Sequence, residues 1–266
     1  MTVRILHISD LHAGRRESPE TLAALHELAA ELRPELVLAT GDLAHRGRRA
    51  QLERARELLA GVGAPVLAVP GNHDLPYTVP ARFTRPFREW ERVFGTTEPV
   101  YSSERLVVAG LSSARPWRQQ GGALTEGALA RAASLLGAAS PGALRVVALH
   151  HHLAAPPWRP RRKRPLRRRD RVLRLLAEAG AELVVGGHVH QAAVAARREF
   201  EALEQERGGS LVLATAPGLG RPRPTRAGEA CGLNVYEAGP DTLEVTTFAW
   251  QAGAFREVGR RTFPRG

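Results

Sequence analysis

Short apolar runs alternate with segments whose apolar residues recur at helical spacing, and this alternation predicts an α/β domain. Each run is bounded by glycine, proline or polar residues, as strands are. The predicted strands are residues 3–9, 35–39, 65–69, 105–110, 143–149 and 182–185. The predicted helices are residues 20–32, 48–60, 81–94, 126–136 and 166–179.

The pattern changes in the last third of the chain, where apolar runs follow one another without helices. Four more strands are predicted at residues 192–198, 210–214, 233–238 and 242–250, with only a turn predicted near 201–205. Strands without crossover helices between them pair antiparallel. Because no linker or internal repeat interrupts the chain, we expect one domain over residues 1–266.

The helix predicted at 81–94 carries an aromatic face formed by Phe83, Phe87, Trp90 and Phe94. Their spacing places them on one side of the helix. We interpret this face as part of the core rather than as a platform for stacking nucleic-acid bases.

Composition excludes several protein classes. Apolar residues make up 43% of the 266 positions, which argues against global disorder. The only cysteine is Cys231, so an intrachain disulfide is excluded. No apolar run approaches the roughly 20 residues that span a bilayer, and the first ten residues lack the layout of a secretory signal. We therefore expect a cytoplasmic protein.

The net charge of +11 favours anionic partners such as nucleotides, nucleic acid or acidic lipid headgroups. Lys163 is the only lysine, however, and this arginine bias is also typical of a GC-rich genome. The densest charge lies at 159–171, with Arg161 and Arg162 as candidate substrate contacts. This stretch is either a rim that collects nucleic acid or a solvated loop and helix face.

Side chains that can bind metals follow five of the predicted strands. The loops beyond the carboxyl ends of strands in an α/β sheet converge on one crevice, so these side chains predict a single site. They are Asp10 and His12, then Asp42, then Asn72, His73 and Asp74, then His150, and finally His188 and His190.

The ligand types and their number predict a metal centre. Carboxylate, imidazole and amide oxygen suit Mn, Fe, Zn or Co, and seven candidates exceed the needs of one tetrahedral zinc. Two divalent ions that share a bridging carboxylate would use them all. Such pairs hydrolyse phosphate esters by lowering the pKa of a bound water and neutralising phosphoryl oxygens. We expect Mn, with Fe, Zn or Co as alternatives.

The motifs resemble those of the calcineurin-like metallophosphoesterase superfamily. The resemblance implies a four-layer αββα sandwich in which helices flank two mixed β-sheets. The matching pieces are Asp10-Leu11-His12, Gly41-Asp42, Gly71-Asn72-His73-Asp74, His150 and Gly187-His188-Val189-His190.

The resemblance also implies roles for these residues. His73 would stabilise phosphoryl oxygens or protonate the leaving group, and Asp74 would orient His73 or its loop. The first histidine of the 150–152 triplet aligns with a ligand, which leaves His151 and His152 either lining the pocket, with His151 a candidate for substrate binding, or solvated. One metal would be held by Asp10, His12 and His190, the other by Asn72, His150 and His188, with Asp42 bridging both.

Two departures indicate the branch of the superfamily. Animal serine/threonine phosphatases have Asp-Arg-Gly where this chain has His45-Arg46-Gly47, and glutamate where it has Asp74. The differences favour the bacterial phosphodiesterase-like branch, which includes cyclic-nucleotide phosphodiesterases and repair-type nucleases. Arg46 is either a phosphate-binding fork or a solvated arginine.

The function predicted first is a phosphodiesterase that hydrolyses nucleotide-type esters by attack of metal-bound hydroxide, with His73 assisting departure of the alcohol. Its substrate would be a small phosphate ester or nucleotide. One alternative is a Mn-dependent repair-type nuclease acting on DNA or RNA. Another is a binding protein that kept the fold and lost catalysis.

Overall fold

The secondary structure follows the predicted order with local differences. The structure, a computed structural model, describes residues 2–15, 17–154, 163–199, 211–223 and 228–265. Its strands are β1 Val3–Ile8, β2 Leu36–Ala39, β3 Val66–Ala68, β4 Val100–Ser102, β5 Leu106–Gly110, β6 Leu144–Ala148, β7 Leu183–Gly186, β8 Ala193–Ala196, β9 Val212–Thr215, β10 Gly232–Ala238, β11 Thr242–Gln251 and β12 Ala254–Pro264. Its helices are α1 Pro19–Leu32, α2 Arg49–Ala60, α3 Ala81–Thr84, α4 Arg88–Phe94, α5 Glu126–Gly137 and α6 Arg169–Glu178.

The strands form two mixed sheets. The first has the order β12-β11-β10-β1-β2-β3, in which β1, β2 and β3 are parallel and β10 pairs antiparallel with β1. The second has the order β4-β5-β6-β7-β9-β8, with β5, β6, β7 and β9 parallel between antiparallel edge strands. Two mixed sheets with flanking helices confirm the predicted fold class.

In the central strands, alternate side chains pack into two different parts of the core, one between the sheets and one under the helices. In β1, Ile5 packs between the two sheets, whereas Leu6 and Ile8 pack under α1 and α2. In β5, Val108 faces the other sheet and Val107 lies beneath α5 and α6. Strands buried on both faces read as continuous apolar runs, which is why these strands were visible in the sequence.

The predicted helix at 81–94 is broken. Arg85 leaves the helical conformation, with φ −146° and ψ 61°, and separates α3 from α4. The cause is Pro86, which disfavours a helical conformation at the residue before it. The four aromatic residues therefore do not share one buried face. Trp90 in α4 is 1% exposed, whereas Phe83 in α3 is 53% exposed. The assignment of Phe83 to the core was therefore wrong.

Pairing in the last third also differs from the prediction. β9 lies between β7 and β8 and is parallel to β7, so the late strands are not all antiparallel. β4 and β12 were not predicted, because their side chains are mostly exposed and form no apolar run. The turn predicted near 201–205 lies outside the described residues. No helix in the described part of the chain is long and apolar enough to cross a membrane.

We expect Tyr236→Phe to lower the free energy of unfolding by about 1–3 kcal/mol. The Tyr236 hydroxyl is fully buried and lies 2.7 Å from His7 Nδ1 and 3.3 Å from Asn234 Nδ2, so its loss leaves buried polar groups unpaired. Urea denaturation measures the change. The matched control is Tyr101→Phe, at a partly exposed hydroxyl, and equal losses in the two variants would contradict the prediction.

Candidate metal centre

Three buried side chains meet where β1 and β7 end. Asp10 and His12 follow β1, and His190 follows β7. His190 Nε2 lies 3.1 Å from Asp10 Oδ1 and 3.5 Å from His12 Nε2. Ligand atoms of the three lie within 4.8 Å of one another. One carboxylate and two imidazoles are thus close enough to share one cation.

A second buried cluster consists of Asp42, His150 and His188, whose ligand atoms also lie within 4.8 Å of one another. His150 Nε2 is 3.4 Å from Asp42 Oδ2 and 3.2 Å from His188 Nδ1. Asn72 is buried, and the next residue, His73, donates its backbone N–H to Asp42 Oδ1 at 2.7 Å. The structure thus brings six of the seven predicted ligands into two clusters.

Hydrogen bonds hold one oxygen of each carboxylate and leave the other available. Asp10 Oδ2 accepts from Ser9 Oγ at 2.8 Å and from the His188 N–H at 2.9 Å. Asp42 Oδ1 accepts from the His73 N–H. No aligned donor in the described part of the chain reaches Asp10 Oδ1, Asp42 Oδ2 or Asn72 Oδ1, although all three are buried. Buried oxygens rarely lack a partner, and a cation would supply one.

Backbone carbonyls orient two of the imidazoles. His150 Nδ1 lies 2.7 Å from the Thr40 oxygen and His188 Nε2 lies 3.3 Å from the Gln120 oxygen. Because a carbonyl only accepts, each of these nitrogens carries the proton. The opposite nitrogen, His150 Nε2 or His188 Nδ1, is the one that faces the cluster. Second partners of this kind are typical of metal-binding histidines.

The backbone at the site is held in an unusual conformation. Left-handed φ values are rare for residues other than glycine and tend to occur at functional sites. Gly71 is required nearby, because a Cβ there would collide with the backbone nitrogen and Oδ1 of Asp42. The site residues with φ between 51° and 71° are Asp10, His12, Asp42, His188 and His190.

The electrostatics favour the metal-binding protonation states of His12, His188 and Asp42. Burial lowers the pKa of His12 and of His188 well below the ordinary value, so both are neutral. Burial alone would raise the pKa of Asp42, but His150 and His73 outweigh it and hold that pKa well below its usual range. Burial alone would lower the pKa of His150, but the charge of Asp42 and the hydrogen bond to it outweigh burial and raise that pKa to about 9, so a cation bound there would displace a proton from His150. Carboxylates beside imidazoles, all buried, are a donor set that fits divalent cations.

His73 differs from the ligands in being partly exposed. Its side chain is 22% exposed, and its Nε2 lies 4.0 Å from Asp42 Oδ2. Its Nδ1 lies 2.9 Å from the carbonyl oxygen of His45 and 2.8 Å from the hydroxyl of Tyr77. The imidazole therefore lies at the edge of the clusters and can reach a molecule bound there.

The contact of Tyr77 with His73 was not predicted from the sequence. Burial raises the pKa of Tyr77 to about 12, with the charge of Asp42 adding to the effect, so its hydroxyl keeps its proton. In the sequence, the only feature that pointed to this contact was an aromatic residue four positions after His73, in a segment without regular periodicity. His45 contacts His73 through its backbone carbonyl oxygen. His73 is therefore held without the aspartate side chain that animal serine/threonine phosphatases have at the position of His45.

Asp74 holds the loop rather than the ring of His73. Its Oδ1 accepts from the Ala44 N–H at 2.7 Å and its Oδ2 from the Gly71 N–H at 2.8 Å. These two bonds tie the loop after β3 to the loop after β2. Of the two roles that the resemblance implied for Asp74, its contacts support orienting the loop.

The candidate substrate contacts are scattered. Arg46 is exposed. His151 and His152 are both buried, and His151 Nδ1 lies 2.9 Å from Ser113 Oγ, so the solvated alternative was wrong for both histidines. Arg161 and Arg162 lie outside the described residues.

Lys163 belongs to the 159–171 stretch and was expected at the surface, yet it is buried. Its charge adds to the burial that lowers the pKa of His188. The single lysine of an arginine-rich chain therefore lies within electrostatic reach of the site. Only its rarity in the composition could have drawn attention to it.

Comparisons with known proteins agree with this site. A family model described as calcineurin-like phosphoesterase matches residues 3–192. A probable cyclic nucleotide phosphodiesterase of Synechococcus sp. is 33% identical over 131 residues, or 46% of this chain and 48% of that protein. A glycerophosphodiester phosphodiesterase of Enterobacter lignolyticus is 35% identical over 65 residues, or 24% of this chain and 22% of that protein. The chain thus spans about half or less of the length of these curated relatives.

Solved structures share the fold at low identity. Purple acid phosphatase from yellow lupin seeds superposes with a TM-score of 0.70 at 13% identity, covering 100% of this chain and 54% of that chain. GAP50, the anchor in the inner membrane complex of Plasmodium, gives 0.67 at 11% identity, covering 100% of this chain and 89% of that chain. Likeness at this identity concerns the fold alone.

We expect Asp42→Asn to lose most of the bound metal after purification in the presence of Mn²⁺, because an amide supplies neither the charge nor the second ligand oxygen of a carboxylate. Elemental analysis measures metal per chain. Asp170→Asn is the matched control, since it removes the same charge from an exposed side chain. Retention of the full metal content by Asp42→Asn would contradict the prediction.

Proposed function

The chain belongs to the calcineurin-like phosphoesterase family, and from this we propose that it is a dinuclear metal-dependent phosphodiesterase of nucleotide-type esters. The observation that carries the proposal is the arrangement of two adjoining, buried donor clusters with a partly exposed histidine at their edge. The buried clusters suit cations, and the exposed imidazole suits proton transfer to a bound molecule.

In the proposed enzyme the two clusters divide the ligands between two cations. Oxygen and nitrogen donors favour Mn, with Fe, Zn and Co as alternatives. A bound pair of such cations supplies charge that neutralises phosphoryl oxygens and a water of lowered pKa. One cation is assigned to Asp10, His12 and His190, the other to Asn72, His150 and His188, and both to Asp42.

His73 acts on the departing alcohol. Its Nδ1 donates to the carbonyl oxygen of His45, which fixes the ring and leaves Nε2 as the atom that faces the substrate. A proton on Nε2 can be given to the leaving oxygen or shared with a phosphoryl oxygen. Asp74 keeps this loop in place through its bonds to Ala44 and Gly71.

Three observations support a diesterase rather than a phosphoprotein phosphatase or an inactive protein. Relatives in this family carry the names cyclic nucleotide phosphodiesterase and glycerophosphodiester phosphodiesterase. The chain has His45 and Asp74 where animal protein phosphatases have aspartate and glutamate. The ligand set and His73 are all present, which a protein without catalysis has no need to keep.

A substrate panel tests the proposal. We expect Mn-loaded protein to hydrolyse bis(p-nitrophenyl) phosphate and adenosine 3′,5′-cyclic monophosphate with a kcat/KM at least roughly tenfold above that for p-nitrophenyl phosphate. Release of nitrophenol and of adenosine monophosphate measures the rates. A metal-loaded protein inert toward every ester would overturn the proposal in favour of a binding protein, and a preference for the monoester would overturn the diesterase assignment.

We expect His73→Asn to keep its metal and to lower kcat by about 10²–10⁴-fold, because proton transfer to the leaving group is lost. Elemental analysis and turnover of bis(p-nitrophenyl) phosphate on the same sample separate the two effects. His26→Asn, which removes a histidine packed between α1 and α2, is the control. Full turnover by His73→Asn on all substrates would show that His73 has another role.

A further inference from the structure

A groove outside the two metal-ligand clusters is linked to His73 through Tyr77. Its lining includes Arg46, Arg48, Arg49, Pro76, Tyr77 and Glu89. Its volume is about 620 Å³, within the range of sites that enclose small ligands. None of the seven assigned metal ligands lines it, so it is a separate compartment of the same site.

Tyr77 connects the groove to the proposed chemistry. Its hydroxyl lies 2.8 Å from His73 Nδ1, while its ring, with 39% of the residue exposed, forms part of the groove wall. Since His73 is the proposed proton donor to the leaving oxygen, a leaving group long enough to extend past this imidazole would reach the groove. A molecule that continues past the leaving oxygen would enter it.

The wall that carries Tyr77 is held in position by a buried arginine. Arg82 donates from Nε to the Pro116 oxygen at 2.7 Å and from Nη1 to the Pro76 oxygen at 3.0 Å. Its guanidinium carbon also lies 5.7 Å from the centre of the Tyr77 ring. The groove is therefore a preformed feature, with an aromatic ring as a rigid apolar surface.

Two arginines of the groove differ from its other charged residues in their partners. Arg49 pairs with Glu53 at 2.8 Å, and Glu89 pairs with Arg92 at 3.1 Å. No carboxylate in the described ranges lies within ion-pair distance of Arg46 or Arg48. These two arginines therefore line the groove without a carboxylate partner among the described residues. Guanidinium forks match the geometry of phosphate oxygens.

We propose that this groove is a second phosphate subsite, distinct from the place of the scissile phosphate, and that it holds a further phosphate carried by the leaving nucleoside. Arg46 and Arg48 contact the phosphate, and the ring of Tyr77 packs against the nucleoside. The inference rests on the proposed diesterase function and narrows it. The favoured substrates are linear nucleotide diesters with a terminal phosphate.

Three dinucleotides test this assignment on Mn-loaded protein: thymidylyl-thymidine, its 5′-phosphorylated form and its 3′-phosphorylated form. We expect one phosphorylated form to have a kcat/KM about tenfold or more above that of the unphosphorylated dinucleotide, since two charge-assisted contacts are added. The double variant Arg46→Gln with Arg48→Gln should bring this ratio close to one. Arg174→Gln with Arg256→Gln removes the same charge from exposed positions outside the groove and should keep the ratio.

Binding gives a readout independent of turnover. Calorimetric titration with thymidine 3′,5′-bisphosphate should show a dissociation constant at least about tenfold weaker in the Arg46/Arg48 variant than in the control variant. Thermal melting of both variants establishes that they are folded. Equal affinity in the two variants would overturn the subsite.

The outcomes separate this inference from the function on which it rests. If bis(p-nitrophenyl) phosphate is hydrolysed but a terminal phosphate brings no advantage, or the Arg46/Arg48 variant keeps that advantage, the subsite is wrong and the diesterase stands. If no diester is hydrolysed, the diesterase is wrong and the assignment to a leaving group falls with it.

Discussion

The hydrogen bond from the His188 N–H to Asp10 Oδ2 joins the two halves of the molecule at the point where function is proposed. Asp10 follows β1 in the first sheet, and His188 follows β7 in the second. Each sheet alone carries an incomplete set of donors. Because this bond holds the carboxyl ends of both sheets together, donors from both become neighbours, and His188 and His190 lie beside residues from the start of the chain.

The same bond has a chemical consequence. By occupying Asp10 Oδ2, it directs Asp10 Oδ1 toward His190. In the same way, the bond from the His73 N–H occupies Asp42 Oδ1 and leaves Asp42 Oδ2 facing the second cluster. The left-handed backbone at five site residues and the absence of a Cβ at Gly71 allow these close approaches. The loops hold buried carboxylate oxygens and imidazoles in one place, at a cost in solvation that bound cations would offset.

Exposure divides the site into parts with different tasks. The ligand side chains are buried, His73 reaches the surface, and the groove with Arg46, Arg48 and Tyr77 lies beyond it. Charge follows the same division, with carboxylates in the buried clusters and, in the groove, arginines that have no carboxylate partner among the described residues. A phosphate ester could thus meet cations at one end and arginines at the other, with the proposed proton donor between them.

The sequence by itself determined the α/β class, most strands and helices, and which residue types follow each strand. These features are local, since strands buried on both faces appear as apolar runs and polar side chains must follow them at the edge of the sheet. Weakly apolar edge strands such as β4 and β12 left no such signal, and Pro86 broke a helix that its periodicity favoured.

Tertiary structure decided what local pattern does not encode. Three examples are the division of the strands between two sheets, the insertion of β9 beside β7 and the burial of Lys163, which all depend on residues distant along the chain. Whether a side chain is exposed, paired or within reach of another is set by packing between segments, and periodicity along one segment carries no information about its neighbours in space.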